Sequence, residues 1–262
     1  MKTFGFIGTG NMGGALATAV CKAVPADSVF LANKTFSKAE KLAEKLGCNA
    51  VSNEKAASMD FVFLGVKPGM MEALFEEIRE YISEKTVLVS MAAALSIEKL
   101  ESFAKIKCPV VRIMPNTPVS VGAGVITYAK NSLVSEEDAK TLTQALNEAG
   151  RCYEIPEKLI DAGSAVAGCG PAFCQMFIEA LADGGVACGL SRPLATEFAA
   201  MMVMGSAKLT LESGKNPGLL KDEVCSPGGS TIQGVRALEN HGFRAAAFEA
   251  VVAAYEKTLQ MK

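Results

Sequence analysis

Residues 4–20 read FGFIGTGNMGGALATAV, and this stretch decides the fold. The apolar segment predicts a strand, the small residues after Met12 predict a helix, and the glycines between them follow the G-x-G-x-x-G order of a dinucleotide-binding turn. Gly8 permits a tight turn, Gly10 removes a side chain from the path of a pyrophosphate, and Gly13 lets the helix approach the strand. Free N–H groups at the helix N-terminus then attract phosphate. We therefore expect a dinucleotide site, with a purely structural glycine turn as the alternative.

Composition excludes several other classes of protein. The chain has 262 residues, half of them hydrophobic, and a net charge of −2, so no basic excess predicts binding to nucleic acid. It has eight cysteines, no C-x-x-C pair and a single histidine, His241, which argues against an ordinary zinc site, and we expect no metal. The cysteines lie mostly among apolar residues, so we expect them to be small buried hydrophobic residues rather than disulfide partners. Free cysteines are typical of a reducing compartment such as the cytoplasm, which is the expected location. Glycines and Pro171 interrupt the long uncharged stretch Ala162–Ile178, so we expect no membrane span.

Strands alternate with helices through the first 157 residues, which is typical of a doubly wound parallel sheet. Ligands of such sheets bind beyond the carboxyl ends of the strands. Four loops are expected to converge there, namely Gly8–Gly13, Asn33–Ser37, Val66–Pro68 and Met91–Ala94. Small residues in the last of these suit a flat nicotinamide lying against backbone, although plain helix propensity also explains them.

The end of the second strand bears on which cofactor is used. Proteins that prefer NAD usually carry an acidic residue here, which binds the ribose 2′-OH. This chain has Asn33 and Lys34 instead, which removes a repulsion toward a 2′-phosphate and adds a positive charge. We therefore expect NADP(H) to be preferred, with NAD(H) as the alternative. Lys34 and Lys38 also fit the solvated start of a helix.

The alternation of strands and helices ends near Pro156, and only helices are predicted after it. We therefore expect two domains, a dinucleotide-binding Rossmann-like domain over residues 1–157 and an all-helical domain over residues 158–262 that binds substrate and forms the oligomer. The run Gly168–Pro171 is expected to interrupt one helix and Pro171 to start the next, since proline favours the first helical position. Ala199–Met204 leaves little polar face, which favours a subunit interface over the alternative of ordinary core.

A second glycine turn stands out in the helical half. Residues 225–231 read CSPGGST, and a helix is predicted directly after them. Paired glycines free the backbone to present N–H groups in one direction, so Gly229, Ser230 and Thr231 are expected to form an anion pocket rimmed by two hydroxyls. A small carboxylate fits such a pocket. A phosphate fits as well, and a structural turn with a helix cap remains an alternative.

Six segments in this order resemble the pyrroline-5-carboxylate reductase family, over about residues 3–255. They are Gly8–Gly13, Val66–Pro68, Met114–Pro118, Gly168–Ala172, Glu179–Val186 and Leu220–Thr231. The resemblance implies hydride transfer from NAD(P)H to the C=N bond of 1-pyrroline-5-carboxylate, which gives L-proline. It also implies an α/β Rossmann-type N-terminal domain followed by an all-α C-terminal dimerisation domain, whose helices form homodimers that often assemble into decamers.

The resemblance also implies roles for particular residues. The substrate carboxylate falls at Gly229, Ser230 and Thr231, and Thr231 is the catalytic candidate because its side chain comes closest to the ring nitrogen in the family's pattern. A pyrroline nitrogen is basic enough to be partly protonated in water, so positioning rather than a strong acid is expected to carry much of the catalysis. The cofactor contacts implied are Ile7, Gly8, Thr9, Gly10, Asn11, Met12, Asn33, Lys34, Asn53, Val66, Lys67, Pro68, Ala92 and Ala93.

Some features depart from the family or favour other functions. Ala167, Cys169 and Phe173 replace two hydroxyls and a phenol that the family often has, and rate or affinity is expected to differ if those groups tune the active site or the helix break. A β-hydroxyacid dehydrogenase would use a lysine of the helical domain, but Lys208 lacks the glycine context for that role. A non-catalytic NADP sensor would not need the pocket at Gly229–Thr231.

Overall fold

The computed structural model describes residues 1–260 as two compact units. The first unit comprises Met1–Cys169 together with the described residues from Tyr255 onward, and the second comprises Gly170–Ala254. The last helix expected from the sequence ends at Met261, which lies outside the described residues. The predicted domain boundary at 157/158 stays a prediction.

An eight-stranded sheet forms the first unit, in the order β3-β2-β1-β4-β5-β6-β7-β8. Helices α1–α6 occur between its strands, and the short helix α7 follows β8. The strands are β1 (Phe4–Ile7), β2 (Val29–Ala32), β3 (Asn49–Ala50), β4 (Phe61–Leu64), β5 (Val87–Ser90), β6 (Val110–Pro115), β7 (Gly124–Lys130) and β8 (Gly150–Glu154). The helices are α1 (Asn11–Ala23), α2 (Phe36–Leu46), α3 (Asn53–Ala57), α4 (Met71–Ile78), α5 (Ile97–Ala104), α6 (Glu136–Ala145) and α7 (Ile160–Gly163).

The Rossmann-type expectation is confirmed, but the sheet is not parallel throughout. Strands β1 to β6 run parallel, whereas β7 pairs antiparallel with β6 and β8 pairs parallel with β7. The chain between β6 and β7 contains only a short 3₁₀ turn at Thr117–Val121. A parallel neighbour needs a crossover of a dozen or more residues, so this short connection reverses the strand direction.

The core of this unit lies on both faces of the sheet. The side chains of Phe6 and Phe63 stack with ring centroids 4.3 Å apart, and Phe4 stacks on Phe61 at 5.3 Å. All four residues of β4 are buried. Continuous apolar strands of this kind are typical of a parallel sheet covered by helices on both sides. Strand β1 pairs with β2 on one side and with β4 on the other.

A buried ion pair joins the sheet to the short helix after it. On β6, Arg112 Nη2 lies 3.0 Å from Asp161 Oδ1 of α7, and both side chains are 3% exposed. Arg112 Nη1 lies 3.5 Å from Glu157 Oε1, which also accepts a 2.8 Å hydrogen bond from the N–H of Ile97 at the start of α5. Among residues 1–260, Arg112 Nε is buried without a hydrogen-bond partner. These charges depend on one another for compensation.

The predicted interruption near Gly168–Pro171 is found as a π-helical turn, and regular α-helix resumes at Gly170 without a break in the helical backbone. Helical backbone runs from Glu157 to Ala187, with a π-helical turn at Ser164–Gly168 where the N–H of Cys169 donates to the carbonyl of Ser164 at 2.9 Å. A π-turn widens the helix, so Pro171 interrupts the hydrogen-bond ladder without ending the helix. By length and composition alone this stretch could cross a membrane, but one such helix is weak support, and the expectation of no membrane span stays a prediction.

Helices alone form the second unit, and little of it is buried within one chain. Its small apolar cluster contains Ala182, Ala195 and Ala199. Met201 and Met204 are 56% and 57% exposed, so the alternative of ordinary core is wrong for these side chains. Contiguous exposed apolar side chains of this kind mark an interaction surface. The helices are α8 (Gly170–Ala187), α9 (Arg192–Ser213), α10 (Pro217–Val224), α11 (Ser230–Asn240) and α12 (Phe243–Leu259).

Candidate functional site

A cleft of about 1300 Å³ opens beyond the carboxyl ends of β1, β2 and β4. It exceeds the roughly 300–1,000 Å³ that is usual for small-molecule sites, so a ligand as long as a dinucleotide has room. Ten of the fourteen predicted cofactor-binding residues line it together, namely Ile7, Gly8, Thr9, Gly10, Asn11, Asn33, Lys34, Asn53, Val66 and Lys67.

The glycine turn is shaped by close approach of backbone. Gly8 has φ +98°, and a Cβ there would come within 2.7 Å of the carbonyl oxygen of Gly65. A Cβ on Gly13 would collide with the carbonyl oxygen of Gly8. Gly10 differs, because a Cβ there meets no protein atom within 4 Å. Glycine is therefore required for folding at two positions, while at Gly10 it keeps the cleft open.

Hydrogen bonds between neighbouring loops and helices hold the walls of the cleft. Asn33 Nδ2 donates to Thr9 Oγ1 at 3.1 Å, which joins the loops after β1 and β2. Asn53 Nδ2 donates to Glu77 Oε1 at 2.9 Å, which joins α3 to α4. These bonds pre-position polar groups before a ligand arrives.

Four of the predicted contacts lie outside this cleft. Met12 packs against the hydrophobic core, and Pro68 is exposed at the start of a 3₁₀ turn. Ala92 is buried, with its N–H 3.3 Å from Ser90 Oγ, while Ala93 is exposed. The loop that contains both alanines follows β5, the strand beyond β4, and contributes no residue to the lining of the cleft.

Positive charge dominates the cleft. Its lining includes five lysines, at positions 34, 38, 41, 45 and 67, against two glutamates, Glu54 and Glu77. A hydrogen bond with Ser52 lowers the pKa of the Glu54 carboxyl below its usual value. Sequence reasoning missed Phe36, Lys41 and Lys45 in this wall, although the i, i+3, i+7 spacing of Lys38, Lys41 and Lys45 could have found the lysines.

The second predicted site lies in the second unit, at the start of α11. Gly228 has φ +71°, and the N–H of Gly229 donates to the carbonyl of Ser226 at 3.0 Å. That N–H is therefore engaged within the turn, contrary to the expectation that Gly229 donates into an anion pocket. Ser230 and Thr231 are exposed in the first turn of α11, where N–H groups lack acceptors within the helix.

Replacing Gly10 with alanine tests the cleft as a dinucleotide site. Gly10 has φ −72° and ψ −164°, which alanine also adopts, and the added methyl group meets no protein atom, so the thermal midpoint is expected to stay unchanged. The methyl group would occupy ligand space, so the Kd of a nicotinamide dinucleotide measured by fluorescence titration should rise about tenfold. Gly13→Ala provides the contrast, because it should lower the thermal midpoint. An unchanged Kd in Gly10→Ala would place the dinucleotide elsewhere.

Comparisons with known proteins cover both units. Residues 157–261 match the family described as pyrroline-5-carboxylate reductase dimerisation, and residues 3–94 match NADP oxidoreductase, coenzyme F420-dependent. The chain is 40% identical to pyrroline-5-carboxylate reductase of Escherichia coli over 98% of this chain and 97% of that protein. Among solved structures, it is similar to Plasmodium falciparum pyrroline carboxylate reductase with NADP bound (34% identity, TM-score 0.88, covering 99% and 98% of the two chains). It is also similar to the Coxiella burnetii enzyme (27% identity, TM-score 0.93, covering 100% and 98%).

Proposed function

The chain belongs to the pyrroline-5-carboxylate reductase family, and from that premise we propose which residues carry its reaction. It is an oxidoreductase that reduces 1-pyrroline-5-carboxylate to L-proline with a nicotinamide cofactor, the last step of proline biosynthesis. The observation that carries the residue assignment is the cleft around Gly8–Gly13, which gathers ten of the predicted cofactor contacts in one place.

The residues present fit a phosphorylated dinucleotide, and we propose that NADPH is preferred over NADH. Gly10 leaves ligand space, and the lysines of the wall suit phosphate groups. Asn33 stands where an acidic residue would repel a 2′-phosphate, and Lys34 follows it in the lining. The proposed cofactor contacts are the fourteen predicted residues, of which Met12, Pro68, Ala92 and Ala93 rest on the family resemblance alone.

The proposed chemistry divides between the two units. When bound, the reduced nicotinamide supplies the hydride that the C=N carbon of the substrate accepts. The first turn of α11 is proposed to hold the substrate carboxylate through the N–H groups of Ser230 and Thr231, with Gly229 shaping the turn. The Thr231 hydroxyl is proposed to hydrogen-bond the ring nitrogen and orient it. Fixing two reactants in this way can supply several kcal/mol of the barrier reduction.

No strong acid is needed in this scheme, because the imine nitrogen is itself basic. The single histidine is consistent with that scheme, since His241 caps the C-terminus of α11 and is exposed, ten residues after Thr231. Catalysis is therefore assigned to positioning rather than to a histidine acid.

The assembly is the remaining part of the proposal. The family match over residues 157–261 supports oligomerisation through the helical region. We propose a homodimer formed by these helices that assembles further into a decamer, with functional domains of residues 1–157 and 158–262.

We also propose that the enzyme acts in the cytoplasm, away from membranes. The eight cysteines are free thiols, as a reducing compartment favours.

The decisive experiment follows the loss of absorbance at 340 nm with freshly prepared 1-pyrroline-5-carboxylate, using NADPH and NADH in parallel. We expect turnover with both cofactors and a higher kcat/KM with NADPH, because the cleft wall is positive and lacks a carboxylate at position 33. Absence of substrate-dependent oxidation with either cofactor would refute the reaction. Equal or higher kcat/KM with NADH would refute only the cofactor preference.

A further inference from the structure

The lysines of the cofactor cleft lie along one face of helix α2. Lys38, Lys41 and Lys45 recur at i, i+3 and i+7, the spacing that places side chains on a single helix face. All three are exposed and line the cleft. The two glutamates of the same helix, Glu40 and Glu44, are not part of the lining. The helix therefore presents a positive face to the cleft.

The three lysines of this face outnumber the two glutamates that line the same cleft, Glu54 and Glu77. Like charges three or four residues apart destabilise a helix by about 0.2–0.5 kcal/mol per pair. Within residues 1–260, none of Lys38, Lys41 and Lys45 forms an ion pair. The chain as a whole carries −2, so a surplus of cations here is local to the cleft. Such a face is suited to an anionic ligand group.

We propose that Lys38 and Lys41, together with Lys34, bind the 2′-phosphate of NADPH and set the cofactor specificity of the enzyme. This inference rests on the proposed preference for NADPH and names further residues that produce it. A 2′-phosphate carries up to two negative charges at neutral pH, and it forms charge-assisted hydrogen bonds with ammonium groups. The ribose of a dinucleotide lies near the end of the second strand of such folds, where Asn33 and Lys34 are found.

Of the three lysines on this face of α2, Lys38 and Lys41 lie nearest to the end of β2, where the 2′-phosphate is expected. Side chains of a helix lean toward its N-terminus, and α2 begins at Phe36, two residues after Lys34. Lys41 lies about 4.5 Å further along the helix axis than Lys38, within the reach of a lysine side chain. Lys45 lies about 6 Å beyond Lys41, one further turn away from the end of β2. It therefore serves as a matched control on the same helix and in the same cleft.

Binding measurements without turnover test this assignment. Adenosine 2′,5′-bisphosphate and AMP differ only in the 2′-phosphate, so their Kd values from isothermal titration isolate its contribution. We expect Lys38→Ala and Lys41→Ala each to weaken binding of the bisphosphate about five- to tenfold, while AMP changes less than twofold. The ratio of kcat/KM for NADPH to that for NADH should fall by the same factor. Lys45→Ala should change both ligands less than twofold.

Several outcomes overturn the proposal, and they are distinguishable. Equal weakening of both ligands would show general attraction of anions rather than recognition of the 2′-phosphate. An effect of Lys45→Ala as large as that of Lys41→Ala would show the same. If the unmodified enzyme prefers NADPH but the lysine variants keep that preference, the residue assignment fails alone. If the unmodified enzyme binds both probes equally, the proposed cofactor preference fails as well.

Discussion

Replacing Thr231 with alanine lowers kcat/KM for 1-pyrroline-5-carboxylate by an expected one to two orders of magnitude, which corresponds to about 1.4–2.7 kcal/mol. The physical reason is the loss of the hydroxyl that is proposed to orient the ring nitrogen. Thr231 is exposed in the first turn of α11, so alanine should leave the fold and the thermal midpoint unchanged. Steady-state kinetics at saturating NADPH measure the effect.

The control for Thr231 separates the hydroxyl from the rest of the side chain. Thr231→Ser keeps the hydroxyl and removes only a methyl group, so it should restore most of kcat/KM. Unchanged kinetics in the alanine variant would remove Thr231 from the site. An equal loss in the serine variant would assign the role to packing of the methyl group instead.

Replacing Arg112 with methionine is expected to destabilise the first unit by about 3–5 kcal/mol. Asp161 is 3% exposed at its side chain and would lose the guanidinium that lies 3.0 Å away. A buried carboxylate that loses its ion-pair partner is costly, because water cannot replace that partner. Urea denaturation at fixed protein concentration measures the shift, since stability of an oligomer depends on concentration.

Two further variants identify the cause of that loss. Arg112→Met combined with Asp161→Leu removes both charges and should be less destabilised than the single variant. Lys2→Met is the exposed control. The side chain of Lys2 is 43% exposed, and its Nζ lies 3.6 Å from Asp138 Oδ1, so this substitution should change the free energy of unfolding by no more than about 1 kcal/mol. A loss below about 1 kcal/mol in Arg112→Met would show that the pair does not hold α7 on the sheet.

The strands and the glycine turn were predictable because their signals are local. Alternation of strand and helix, and the glycines at positions 8, 10 and 13, are read within a few residues of sequence. The direction of β7 was missed although the connection after β6 is too short for a parallel crossover, because the alternation of strand and helix does not by itself show strand direction. The π-turn before Pro171 was missed for a related reason, since the proline signal shows that a helix is disturbed but not how the backbone accommodates it.

The candidate site was also predictable only in part from the sequence. Sequence identified the loops after β1, β2 and β4 as ligand-binding, and the structure gathers residues of all three around one cleft. It also predicted cofactor contacts at Ala92 and Ala93, whose loop follows β5 and does not line the cleft, so these two contacts stay a prediction. Gly229 was assigned a free N–H, but the turn engages that group with Ser226. Distances between loops and the partners of single N–H groups follow from packing rather than from motif.

The sequence by itself identified the family as that of the pyrroline-5-carboxylate reductases and predicted a dinucleotide site beside Gly8–Gly13, because both conclusions rest on short motifs in a fixed order. Only the tertiary structure decided that the wall facing those glycines is positive. Lysines of α2 and of the loop after β4 are far apart along the chain, and they meet in one cleft because β1, β2 and β4 lie side by side. Only the fold, likewise, placed Arg112 3.0 Å from Asp161 in a site where both side chains are 3% exposed.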